Sequence, residues 1–324
     1  MRILITGSRG FIGGSVGRYA AGAGHEVLGV GRSTQAPARW PGAYVQADVV
    51  SSDLSGLVRD FAPDAVVHAA GTASVAASFA APLDDLRAAL NSFANMLEAV
   101  RRSGRAPLVL FPSSAAVYGD PPRLPVAEDT PARPISPYGF HKAACELVAR
   151  GYSDCFGARL VVCRLFSVFG AAQRRLLVWE LYRQLAGPAP AAWLEGTGQE
   201  SRDYLHVDDA ASAILGLAET RAGEVGGDGI KGVERGGGGD CLTVNVASGE
   251  ETRVLDLAAR LRDLVAPNKE IRCRGHARPG DPLRWRADTT RLHALLPDWR
   301  PRPFDERLAA CIDAWRTEAP SSAD

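Results

Sequence analysis

The chain opens with Arg2-Ile3-Leu4-Ile5-Thr6-Gly7-Ser8-Arg9-Gly10-Phe11-Ile12-Gly13, an apolar run, a turn with glycines at 7, 10 and 13, and the first residues of a helical pattern. Few folds need glycine at all three places. Gly7 permits a tight turn, Gly10 lets backbone approach a pyrophosphate, and Gly13 lets the helix press against the sheet. Free amides at the helix start then face the phosphate charge. Residues Gly7, Arg9, Gly10, Phe11, Ile12 and Gly13 are therefore expected to bind a dinucleotide.

Further apolar runs follow at 26–30, 43–47, 65–69, 108–112 and 160–165, separated by helical patterns at 11–21, 53–61, 83–103 and 137–156. Several runs are apolar on both faces, as in parallel strands covered above and below. The expected class is α/β, a Rossmann-type doubly wound parallel sheet with a smaller C-terminal substrate-binding lobe. After residue 170 the rhythm changes to helices at 174–186, 207–220, 252–265, 289–296 and 304–315, with short strands at 193–194 and 242–246. The dinucleotide-binding domain is assigned to 1–169 and 204–246, and the substrate lobe to 170–203 and 247–324. Residues 221–240 are so rich in glycine that they read as a flexible surface insertion.

The 324 residues carry 37 basic and 37 acidic side chains, so no overall charge draws the chain to nucleic acid or an anionic membrane. The six cysteines, at 145, 155, 163, 241, 273 and 311, form no Cys-x-x-Cys pair, so no metal site and no disulfide framework are expected. The first apolar run is too short for a secretory signal, and the uncharged stretch 65–83 is broken by polar residues, Gly71 and Pro82. A cytoplasmic protein is expected, with 65–83 a buried strand running into a loop.

At the end of the second strand the chain reads Val30-Gly31-Arg32-Ser33, with no carboxylate for an adenine ribose. Arg32 offers a fork of donors for a 2'-phosphate, and Arg9 can reach the same place. NADP or NAD is the expected cofactor, with Arg32 favouring NADP. Asp48, beside Val49 after the third strand, is placed to bond the adenine amino group. Farther on, Ser113 and Ser114 close a strand at the end where α/β proteins bind ligands, and Tyr138 and Lys142 follow on one helix face. A phenol titrates near pH 10, and acting as a base near pH 7 requires a shift of about 3 units. Lys142 and an oxidised nicotinamide push that way. Tyr138 could then take a sugar hydroxyl proton as hydride leaves the same carbon, with Ser114 holding the oxygen and Lys142 on the nicotinamide ribose.

Taken together, the turn from Thr6 to Gly13, Asp48, the His68-Ala69-Ala70 strand end, Asn91, Ser114, Tyr138 and Lys142 resemble the extended short-chain dehydrogenase/reductase family, in its nucleotide-sugar epimerase and dehydratase branch. The resemblance runs along nearly the whole chain. It implies cofactor contacts at Gly7, Asp48, Val49, Ala69, Ala70, Tyr138 and Lys142, and a nucleotide-diphosphate sugar held by Ser114, Ser167, Arg202 and Arg278. The segments 196–209, 245–249 and 278–281 match family segments, and the family commonly dimerises through its two long helices, here 83–103 and 137–156. One departure stands out: Arg164-Leu165-Phe166-Ser167-Val168-Phe169-Gly170 has Ser167 where the family usually carries Asn.

Dehydrating and decarboxylating relatives carry an acid after the catalytic hydroxyl, whereas this chain has Ala115 and Ala116. Nor does a cysteine stand two positions after Ser114, as it does in relatives that couple 3,5-epimerisation to reduction. The expected activity is a 4-epimerase working through a transient 4-keto sugar. An NADPH-dependent 4-ketoreductase is the alternative, and a non-catalytic NAD(P)-binding protein a third.

Overall fold

Seven apolar runs pair into one parallel sheet in the computed structural model, which describes residues 1–222, 240–276 and 280–317. They are β1 (Arg2–Thr6), β2 (Glu26–Gly31), β3 (Ala43–Gln46), β4 (Ala65–His68), β5 (Leu108–Ser114), β6 (Leu160–Leu165) and β7 (Cys241–Val246). Their spatial order is β3-β2-β1-β4-β5-β6-β7. The order reverses between β1 and β4, which opens a crevice at the carboxyl ends of the strands, where doubly wound sheets take ligands.

The helices are α1 (Phe11–Gly22), α2 (Ser55–Phe61), α3 (Val75–Ala80), α4 (Pro82–Leu86), α5 (Ser92–Ser103), α6 (Pro137–Phe156), α7 (Leu176–Ala186), α8 (Val207–Ala222), α9 (Val254–Val265), α10 (Thr290–Leu295) and α11 (Phe304–Thr317). Every residue of β4 and β6 is buried, because helices cover both sheet faces. Alternation along β1 splits the core in two. Ile3 and Ile5 pack with Val16 of α1 and Ile214 of α8, whereas Leu4 faces Val58 of α2, Phe93 and Met96 of α5 and Ala149 of α6. A separate apolar cluster joins Leu181 of α7, Leu257 and Leu261 of α9, and Leu308 and Trp315 of α11. The parallel strands Ala191–Leu194 and Glu270–Cys273 close it.

Helix α6 starts and stops where its sequence dictates. Ser136 caps it by accepting the Gly139 N–H at 3.2 Å, Pro137 fills the first position, and Gly157 ends it at φ 68°. The expected helix 83–103 departs from that simplicity, since α4 and α5 are joined by a π turn, Arg87–Asn91. Ser92 Oγ donates to the Ala88 carbonyl at 2.5 Å and so competes with the regular helix bond. The stretch after β4 is more than a loop, because Ser74 caps α3 by accepting the Ala77 N–H at 3.2 Å. Helices expected from 174 and 252 begin at Leu176 and Val254, the second because Thr252–Arg253 pairs with Ser201–Arg202 as a short antiparallel ladder.

Arg221 at the end of α8 is ion-paired with Asp240, just before β7, and Arg159 Nε reaches the same carboxylate at 3.4 Å. Residues 223–239, most of the insertion expected to be flexible, lie outside the described residues. No helix among the described residues is long and apolar enough to cross a membrane, and no group of three or more His, Cys, Asp or Glu among them could hold a metal ion. The six cysteines are all free thiols.

Candidate active site

At the β1–α1 turn, backbone packs on backbone. Gly7 has φ 67°, and a Cβ there would lie 2.5 Å from the Ala69 carbonyl oxygen. A Cβ on Gly13 would lie 2.5 Å from the Gly7 oxygen and 3.2 Å from the Ala69 Cβ. Gly10 precedes α1 with no side-chain cap and no acidic residue in the first turn, so the helix amides remain open to an anion. Such a cradle fits a dinucleotide pyrophosphate. Phe11 and Ile12 are half-buried just behind it. Ala69 and Ala70 are tied to β1, since the Ala70 N–H donates to Thr6 Oγ1 at 3.3 Å and the Ala69 N–H to the Thr6 carbonyl at 3.2 Å. Buried His68 lies between Thr6 Oγ1 (3.1 Å) and Ser92 Oγ (3.3 Å), and desolvation, with the Lys142 charge nearby, pushes it down to about 3.

At the end of β2, Arg9 donates to Ser33 Oγ and to the Gln35 carbonyl, both at 3.1 Å. Arg32 is exposed, and among the described residues its guanidinium makes no hydrogen bond or ion pair. Asp48 accepts the Val50 N–H at 3.1 Å, and Val49 points its side chain into the core, leaving only its backbone for a ligand. Asn95 holds this loop by donating to the carbonyls of Val49 (2.8 Å) and Ser52 (2.9 Å). Asn95 escapes a reading of the sequence; a lone amide within an amphipathic helix is the available signal.

Ser114, Tyr138 and Lys142 converge at the end of β5. Ser114 Oγ accepts the Ala116 N–H at 3.1 Å, and the Tyr138 N–H donates to Ser78 Oγ at 3.0 Å. Lys142 Nζ donates to the Pro112 carbonyl at 2.9 Å and lies 4.6 Å from the centre of the Phe111 ring and 5.9 Å from that of Tyr138. Proline in an interior strand normally removes a ladder bond. Here β4 pairs with β5 only from Leu108 to Leu110, so Pro112 lies past that ladder and its carbonyl is free for Lys142. Burial raises Tyr138 to about 12; the Ser114 hydroxyl, hydrogen-bonded to it, pulls down, and the Asp85 charge adds to the rise. Desolvation also lowers Lys142 below the usual lysine range.

Ala115 and Ala116 are buried in an apolar cluster with Tyr118 and Val126, so the backbone after Ser114 brings no carboxylate to it. Buried Asp85, missed from sequence, holds His141 and Thr72 through its two oxygens. Asn91, which carried part of the family resemblance, is exposed at the end of the π turn.

Just past the end of β6, Ser167 starts the short strand Ser167–Phe169, paired in parallel with Tyr204–His206. Arg202 is steered by the carbonyls of Ser201 and Pro282, both at 2.8 Å, lies 3.9 Å from Asp281, and lies 5.5 Å from the Trp285 ring centre. Asp203 turns away and gathers the N–H groups of Ser248, Gly249 and Ala287, which brings the two later chain segments to the Arg202 strand. The buried Tyr204 hydroxyl has no partner among the described residues, and Arg202 and Asp281 lie within electrostatic reach of it. Arg278 lies outside the described residues.

Residues 3–229 match the model of the NAD dependent epimerase/dehydratase family. A UDP-glucose 4-epimerase of Azospirillum brasilense is 33% identical over 93% of this chain and 87% of its own. A GDP-6-deoxy-D-mannose reductase of Pseudomonas aeruginosa is 30% identical over 94% and 99%. Among solved structures, the UDP-glucose 4-epimerase of Thermus thermophilus in complex with NAD superposes with a TM-score of 0.82 at 26% identity, covering 98% of this chain and 100% of that one.

Neutral His68 makes the fold acid-sensitive. Its folded value is depressed, so its contribution is complete above the ordinary value of 6.5 and is lost as pH falls toward about 3. Within that window His68 should account for a fall of about 1.4 kcal/mol per pH unit. Urea unfolding of His68→Asn should show a correspondingly shallower acid slope than the wild type; equal slopes would refute the assignment.

Proposed function

Because the chain belongs to the NAD dependent epimerase/dehydratase family, we propose that it is a nucleotide-diphosphate-sugar 4-epimerase with Tyr138 as its acid/base. The observation that carries this reading is the convergence of Ser114, Tyr138 and Lys142 on the strand end next to the Gly7-Gly10-Gly13 cradle. NAD(P) would lie with its pyrophosphate on the α1 amides and its ribose at Lys142, and its nicotinamide would supply the acceptor and donor of hydride. Ser114 would hold the oxygen on carbon 4 of the sugar. Tyr138 would take that hydroxyl's proton and return it once the sugar has turned over. Burial and Asp85 both keep the phenol protonated in the chain alone, so its ionisation near neutral pH depends on positive charge brought to the site.

Arg202, Tyr204 and Arg278 are the residues we assign to the sugar diphosphate, since two guanidiniums and an orphan phenol suit its charge. Residues 170–203 and 247–324 would form the lobe that carries the sugar. Ala115 and Ala116 favour epimerisation over dehydration, because no acid stands there to protonate a leaving hydroxyl. A 4-ketoreductase is the second reading. Arg9 and Arg32 suit NADP, and one relative is named as a reductase. Exposed Phe140, Leu147 and Phe156 on α6 support a homodimer through α5 and α6.

Purified protein should release a nicotinamide cofactor on denaturation and interconvert a UDP-hexose pair without added cofactor. Stoichiometric NADPH loss with a keto sugar would instead establish the reductase. Tyr138→Phe should lower turnover by at least about a hundredfold while leaving cofactor affinity intact, as loss of an acid/base group requires; turnover near wild type would sink the mechanism. Arg32→Asp should move the affinity ratio from NADP toward NAD, and an unchanged ratio would place Arg32 away from the ribose. Sedimentation should give a dimer that Leu147→Glu converts to monomer; a wild-type monomer at micromolar concentration would refute the α5–α6 interface.

A further inference from the structure

A cavity of about 300 Å³ shares no lining residue with the site built on Ser114, Tyr138 and Lys142. Its volume stands at the lower end of small-molecule sites, about 300 to 1,000 Å³. Its walls come from residues 120–124, from Glu251 and from residues 283–286, and backbone bonds tie these segments together. Asp120 Oδ1 takes the Leu283 N–H at 2.9 Å, and the Val126 N–H reaches the Arg286 carbonyl at 2.8 Å. Ser201 donates its N–H to the Leu283 carbonyl at 3.0 Å and accepts the Trp285 N–H at 3.2 Å. The cavity is thus framed before any ligand arrives.

Its polar groups are unequally spent. Both oxygens of Glu251 take the Arg284 fork, at 2.7 and 2.8 Å, and one also takes the Ser201 hydroxyl. That pair balances itself. Arg286 is half-buried, and its guanidinium makes no hydrogen bond or ion pair among the described residues, although Glu251 lies within its electrostatic reach. A guanidinium carries five N–H donors and no acceptor, so Arg286 and the unspent Nη1 of Arg284 leave the cavity with donors in surplus. Asp120 keeps one oxygen without a hydrogen bond among the described residues. Pro121, Leu124 and Leu283 supply apolar wall.

Those features ask for one kind of occupant. An acceptor-rich anion suits the arginines, a hydroxyl suits the open Asp120 oxygen, and a carbon–hydrogen face suits the apolar wall. Trp285, between the two arginines in sequence, is turned inward: it donates Nε1–H to the Gly119 carbonyl at 2.9 Å, and Arg202 lies 5.5 Å from its ring centre. The cavity therefore uses side chains other than those assigned to the sugar diphosphate.

We infer that this cavity is a further ligand site, for a small hydroxylated phosphate monoester of the hexose phosphate class. The phosphate lies on Arg286 and Arg284 Nη1, and a sugar hydroxyl donates to Asp120. The inference stands apart from the epimerase reading.

The test is calorimetric titration of the full chain with glucose 6-phosphate and with inorganic phosphate. Glucose 6-phosphate should bind saturably at one site per chain and more tightly than inorganic phosphate. Arg286→Gln should weaken it at least about tenfold, as loss of charge-assisted hydrogen bonds requires. Leu283→Glu, at an exposed wall position, should do the same by placing a carboxylate beside the guanidiniums. Asp120→Asn keeps an acceptor for the Leu283 N–H but not the open carboxylate oxygen, so it should bring glucose 6-phosphate to the affinity of inorganic phosphate. Arg202→Gln should leave binding unchanged. Absence of saturable binding, equal affinity of the wild type for the two probes, or full affinity in both Arg286→Gln and Leu283→Glu would overturn the inference. Loss of binding in Arg202→Gln alone would assign the anion to the sugar-diphosphate residues and overturn it equally. None of these titrations needs turnover or cofactor, so failure of the epimerase assay leaves their outcome readable.

Discussion

The contact among Gly7, Gly13 and Ala69 is the constraint to which the rest of the site is registered. A side chain on either glycine would put carbon 2.5 Å from a backbone oxygen, well inside van der Waals contact. Glycine therefore allows β1, the start of α1 and the end of β4 to occupy one small volume. The register Thr6 opposite His68 follows, and with it the hydroxyl that binds both His68 and the Ala70 amide. The crevice lies at the carboxyl ends of these strands because the sheet reverses its order at this same pair, β1 and β4.

A second layer of order holds α6 against β5 and β6. Glu146 accepts from Ser113 Oγ at 2.6 Å and from Arg164 Nη2 at 2.7 Å, so one carboxylate ties the helix to two strand ends. Lys142 stands one turn earlier on that helix and reaches Pro112 of the same strand. Two adjacent anchors on one helix face fix the position of Tyr138 better than either would alone. A buried ion pair contributes little net stability once desolvation is counted, so positioning is the more plain effect of Glu146 and Arg164.

Much of this organisation is legible in the chain. The strands announce themselves because both faces are buried and nearly every residue is apolar. Helix α6 is bounded correctly at both ends because Ser136, Pro137 and Gly157 are local signals. The π turn and α3 are not legible in the same way, since each depends on a serine hydroxyl choosing a particular backbone group. Short ladders such as Ser201–Arg202 with Thr252–Arg253 exist only through a partner 50 residues away. The glycine cradle, Ser114, Tyr138 and Lys142 can be located from motifs, whereas Asp85, Asn95 and the orphan Tyr204 hydroxyl cannot, because their roles come from tertiary neighbours. The direction of the Tyr138 shift is hidden for a related reason: spacing shows a lysine nearby but not how much water has been removed.

The ion pair of Arg221 with Asp240 has a consequence for the strand that follows it. It joins the end of α8 to the approach of β7, so both ends of the glycine-rich stretch are fixed by the body of the protein. The edge strand β7 is thereby held beside β6 by the side chains of Arg221 and Arg159 as well as by its own ladder.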